Sequence, residues 1–157
     1  MLFCMSAWSR DAQADLSGSV KAGAAYFAVV FSVGFLLGAV RVLLVAPRLG
    51  ETAAVMLEAP LILAISWAAS RGCVELFKVP AEVASRLLMG AIAFALLIAA
   101  ELGFSVIVFG RSVADFVAGL LSVPGAVGLA AQLAFAIVPA IQGRRELRST
   151  DVTTMND

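Results

Sequence analysis

The sequence predicts an all-α, polytopic membrane protein with four transmembrane helices arranged as two antiparallel hairpins. A short periplasmic interfacial helix is expected before the fourth crossing. Three observations carry this reading. Of 157 residues, 62% are apolar and 14% charged, before the 13 glycines are counted; an average soluble domain is about 45–50% apolar. Mean hydropathy is +1.01 in a chain of 16.3 kDa, too high for a protein that must cover so large a relative surface with polar groups. Apolar runs also recur at the length a bilayer demands, since a core of about 30 Å takes roughly 20 helical residues.

The first crossing is placed at 22–46. Residues 22–40 hold no charged residue, Arg41 follows, and Pro47 and Gly50 break the chain. The late start, the length and the lack of a small-residue cleavage motif read as an uncleaved anchor rather than a secretory signal. The second crossing is 52–70, interrupted by Glu58 and closed by Arg71 and Gly72. The third is 84–109, with Pro80 and Glu82 forming its first turn in the water phase and Glu101 within it. Thirty-two residues then separate Arg111 from Arg144, about 48 Å of helix, too long for one untilted crossing. Ser112-Val113-Ala114-Asp115 fits a capping box and Pro124-Gly125 supplies a break. The expectation is an interfacial helix at 113–122 and a crossing at 123–141, against one long helix kinked at Pro124. Residues 1–21 are expected as a cytoplasmic segment and 143–157 as a flexible cytoplasmic tail.

Four crossings put both termini on one side. That side holds Arg10, Lys21, Arg71, Lys78, Arg86, Arg144, Arg145 and Arg148; the other holds Arg41, Arg48 and Arg111. Eight basic residues against three place the termini in the cytoplasm of a bacterial-type inner membrane. Cys4 and Cys73 then face a reducing compartment, where a structural disulfide is not expected.

The informative residues are the charges inside apolar runs, each costing about 2.5–3.5 kcal/mol at mid-bilayer. Helix rise puts Glu58 about 9 Å below the outer end of its crossing, Glu101 about 12 Å and Arg41 about 7.5 Å. Arg48, Glu51, Arg111 and Asp115 sit at the outer boundary itself. Seven charges from all helical segments thus fall in the periplasmic half, and they are expected to converge on one externally facing pocket. Arg41 and Arg48 are seven apart, as are Glu51 and Glu58, and a short turn joins their helices. Arg41 should therefore approach Glu58, and Arg48 approach Glu51. With three cations against four carboxylates, Glu101 is the candidate for the neutral acid. A structural role stands beside a functional one: Arg41–Glu58 would fix helix register, and Glu101 would bond a serine or Gln132.

Small residues mark packing faces. Gly34 and Gly38 form a GxxxG pair, Ala91, Ala95, Ala99 and Gly103 recur at four-residue steps, and so do Ala126, Ala130 and Ala134. Such faces let helix backbones approach in lipid, within one bundle or across a homodimer seam.

A formal net charge of zero excludes a nucleic-acid binder. The absence of histidine removes imidazole catalysis and ligation. No cofactor and no metal are expected; the partners are the lipid bilayer and a homo-oligomer or larger membrane complex. The function expected is an accessory, assembly or scaffold subunit. The alternative is a small oligomeric proton- or cation-coupled carrier or channel using Glu58 and Glu101. An intramembrane enzyme ranks last, for want of any catalytic motif.

Overall fold

The computed structural model describes the backbone of residues 2–154 and the side chains of residues 15–148. Cys4 and Arg10 therefore lie outside the described side chains. The described residues are helical throughout, with no strand: α1 (Leu2–Val40), α2 (Ala46–Leu49), α3 (Glu51–Phe77), α4 (Val83–Gly103), α5 (Val113–Leu120) and α6 (Val123–Thr154). Two π-helical segments, Arg41–Val45 and Phe104–Val108, continue α1 and α4. Four stretches are long and apolar enough to cross a membrane: Asp15–Leu49, Glu51–Phe77, Val83–Val108 and Val123–Arg148.

Local chemistry explains each break. Pro47 has no N–H to offer the carbonyl four residues back, and its ring crowds that carbonyl. The chain before it widens instead, with the Ala46 N–H bonding the Arg41 carbonyl. Gly50, at φ 81°, ends α2 and is the single residue between α2 and α3. Gly110, at φ 63°, follows the second π segment, and a reciprocal capping box then opens α5. The Asp115 N–H donates to Ser112 Oγ at 3.1 Å, and the Ser112 N–H donates to Asp115 Oδ2 at 3.1 Å. Helix α6 restarts at Val123, where the Gly125 N–H donates to Ser122 Oγ at 3.2 Å. Residues 113–154 are thus two helices, not one kinked helix.

At both ends the helices run beyond the expected spans. No break separates residues 2–21 from the first span, because α1 is continuous from Leu2. The expected loose tail is helical as far as Thr154. Gly143 does not stop α6, because it lies where a Cβ would come within 2.8 Å of the Ala81 carbonyl. The glycine there serves close packing, not chain reversal.

Helix α1 packs on α3 and α4, and α6 packs on the same two, so α3 and α4 face each other across the bundle. The order of contacts runs oppositely along α1 and α3: Gly18 faces the Phe77 carbonyl, Gly34 faces Ile62, and Arg41 meets Glu58. One aromatic pair spans the other diagonal. The Tyr26 and Phe135 rings stack at 4.4 Å, and the Tyr26 hydroxyl donates to the Phe135 carbonyl at 3.0 Å. Around it lie Ala22, Val30, Cys73, Val74, Met89 and Ala93. This core sits at the end of the bundle that carries Arg86. Towards the Arg41 end, Ala54 and Ser105 are the buried residues among those described.

The small residues that bring helices together are not the ones the four-residue repeats single out. A Cβ on Gly90 would overlap the Ala136 carbonyl, and one on Gly23 would lie 2.7 Å from the Met89 carbonyl. Ala91, Ala95 and Ala99 are exposed on the outer side of α4, and Gly38 and Gly103 have open space where a Cβ would be. Gly34 makes an ordinary contact, with its Cβ position 3.5 Å from Ile62. The stripe on α4 is therefore no part of the packing within this chain. Met89, Gly90 and Ala93 occupy the inward face instead.

Candidate functional site

At the Arg41 end, Arg41 Nε lies 2.8 Å from Glu58 Oε2, with the side chains 27% and 20% exposed. The pair joins α1 to α3. Arg41 Nε has no well-aligned hydrogen bond, so the contact is charge proximity rather than a bidentate fork. Arg41 is the first residue of its π segment, and Glu58 lies two residues before Pro60.

Glu101 does not join that pair. Gln132 Nε2 donates to Glu101 Oε1 at 2.6 Å, linking α4 to α6. Gln132 Oε1 is buried without a partner, and a buried acceptor left unpaired costs about 1–3 kcal/mol. The expected common pocket is thus replaced by two separate pairs on two seams. The cause is the order of helices around the bundle. Because α3 and α4 are diagonal, each carboxylate meets the side chain of a neighbouring helix instead.

The boundary charges do not converge either. Arg48, Glu51, Arg111 and Asp115 are exposed, and Arg48 forms no ion pair with Glu51. Asp115 is occupied as the α5 cap. The Ser112 hydroxyl and backbone N–H hold its carboxyl below the usual aspartate value, and Arg111 adds to this.

Among the described residues the most deeply buried charge lies at the other end, on Arg86, which opens the third apolar run in the sequence. It is 2% exposed and the largest fully buried side chain described. Its Nε donates to the Pro80 carbonyl at 2.9 Å and its Nη2 to Glu146 Oε2 at 2.8 Å, while Nη1 is buried without a partner. One turn along α6, Ser70 Oγ donates to Gln142 Oε1 and Gln142 Nε2 donates to the Trp67 carbonyl, each at 2.8 Å. These bonds tie α3 and the turn before α4 to α6. A usable signal was present: Gly143 and Glu146, three apart, share a face of α6, one leaving room and the other supplying charge.

Among the described residues no three His, Cys, Asp or Glu side chains come together as a metal site. Cys73 is buried and free. Two open clefts remain. One of about 330 Å³ lies between α1 and α4, lined by Phe31, Ser32, Phe35, Leu36 and Phe104. The other, of about 540 Å³, runs along α6 beside Ile141, Arg144, Arg145, Leu147 and Arg148.

Comparison with family models, with curated proteins and with solved structures found no match. The functional reading therefore rests on the residues themselves.

Proposed function

We propose that the chain is an accessory or scaffold subunit of a membrane assembly, inserted as two antiparallel hairpins with both termini in the cytoplasm. One observation carries this reading: polar side chains within the spans are engaged with each other across helix seams. Arg41–Glu58 joins α1 to α3, Glu101–Gln132 joins α4 to α6, and Ser70–Gln142 joins α3 to α6. Such pairs staple helices in a medium without water. Carriers need carboxylates that face a shared, hydrated path, and here the two carboxylates occupy different seams. Helix α5 fits an interfacial position on the periplasmic side, with Val113, Phe116, Val117 and Leu120 spaced along one apolar face. The exposed stripe of Ala91, Ala95 and Ala99 leaves a face of α4 open to a partner helix.

A second reading, a proton- or cation-coupled carrier, draws on the unpartnered Gln132 Oε1 beside Glu101. An intramembrane enzyme stands behind both. Flux of protons and monovalent cations into proteoliposomes separates the first two. A scaffold gives no flux above empty vesicles, for wild type and for Glu58→Gln and Glu101→Gln alike. Flux in wild type that disappears in either variant, with the protein still folded, overturns the scaffold reading. Gentle detergent extraction should bring a larger complex with the chain, and extraction as an isolated chain would count against an accessory role.

A further inference from the structure

The Arg86 end carries a second charged feature, one that no ion pair among the described residues uses. Arg144, Arg145 and Arg148 are exposed and form no ion pair with a described carboxylate. With Ile141 and Leu147 they line the open cleft of about 540 Å³ along α6. Glu146, on the same turn, is turned to Arg86 instead. The described lining of the cleft is therefore basic and aliphatic, with no acidic residue.

Its position is fixed from α3. The Arg145 guanidinium sits 5.1 Å from the centre of the Trp67 ring, a cation–π distance. The Trp67 carbonyl accepts from Gln142, so ring and guanidinium are held on one seam. Arg71, four residues after Trp67, is exposed on the same face of α3 and adds a fourth cation. Tryptophan is enriched where hydrocarbon gives way to headgroups, and guanidinium forks match phosphate oxygens.

The geometry points to a phosphate-binding site for an anionic phospholipid headgroup, formed by Arg144, Arg145 and Arg148 over Ile141 and Leu147 and steadied by Trp67. The exposed Ile141 and Leu147 beside the guanidinium groups favour a lipid over free phosphate, since apolar side chains suit a glycerol backbone and acyl chain. This inference rests on the membrane insertion proposed above.

Trp67 supplies the test. In full-length protein carrying Trp8→Phe, it is the one tryptophan left, and bromine on a lipid chain quenches its fluorescence on contact. The protein is reconstituted in phosphatidylcholine vesicles containing either brominated phosphatidylglycerol or brominated phosphatidylcholine. Quenching should favour phosphatidylglycerol, and Arg148→Gln, which removes no ion pair among the described residues, should lower that preference about fivefold. Arg144→Gln/Arg145→Gln/Arg148→Gln should abolish it, and Arg145→Lys should leave an intermediate value. Equal quenching by both lipids in wild type overturns the site while leaving insertion intact. No quenching by either lipid contradicts insertion itself. Loss of the preference on adding excess inorganic phosphate at constant ionic strength reassigns the cleft to a free anion and overturns the lipid source.

Discussion

Arg86 of α4 and Glu146 of α6 meet at 2.8 Å, the arginine 2% exposed and the glutamate 50%. The arginine also grips the Pro80 carbonyl, so one side chain joins the turn before α4 to the far part of α6. A pair so unequal in burial has unequal partners. The arginine is already out of solvent, whereas the glutamate regains water when the contact breaks.

Replacing each partner should therefore cost different amounts. Arg86→Ala leaves a cavity and an unpaired Pro80 carbonyl, and should destabilise the fold by about 2–5 kcal/mol. Glu146→Ala leaves no cavity but strands the buried guanidinium without its counter-charge, and should cost about 2–3 kcal/mol, below a fully buried pair because Glu146 is half exposed. Detergent-mediated unfolding followed by circular dichroism reads both values.

Glycine positions offer a contrast in sign. Gly90→Ala drives a methyl group into the Ala136 carbonyl and should cost about 1–3 kcal/mol as overpacking. Gly38→Ala meets nothing within 4 Å and should gain up to about 1 kcal/mol of helix propensity. Unfolding midpoints should move in opposite directions.

The α5 cap should respond to acid. Asp115 has its carboxyl held below its ordinary value of 3.8, so the native state binds its proton more weakly than the unfolded chain. The cap's contribution is complete above that ordinary value and disappears as pH falls through the lower native one. Amide exchange at Asp115 and Phe116 should accelerate in that window, and Asp115→Asn should remove the pH dependence.

Some of this was legible in the sequence, for physical reasons. Pro47 and Gly50 forbid a straight helix, and a short joint then brings α1 beside α3, where Arg41 meets Glu58. Ser112 and Asp115 announce a helix start through chemistry local to four residues. The helix order around the bundle was not legible, because apolar runs of similar length carry no address; Glu58 and Glu101 consequently fall on different seams. Nor was the inward face of α4. Ala91, Ala95 and Ala99 make the longer repeat, but a single glycine, Gly90, makes the closest approach. The burial of Arg86 was not legible either, because a basic residue at the end of an apolar run carries no local sign of its partner, and Glu146 lies sixty residues on.

The Arg41–Glu58 pair should behave as a staple. Glu58→Leu alone strands a cation and should cost about 2–4 kcal/mol, discounted from a fully buried pair because both side chains are partly exposed. Arg41→Leu/Glu58→Leu together should recover most of that loss, since lipid accepts two leucines readily. The same unfolding assay decides it.

The central claim is that polar side chains in the spans act as separate staples on separate seams. A double-mutant cycle between Glu58→Gln and Glu101→Gln tests it most directly, by the stability of both single variants and the double. Independent staples predict additivity within about 0.5 kcal/mol. A coupling above about 1 kcal/mol between the two glutamates would mean that they share one site, and would contradict the account.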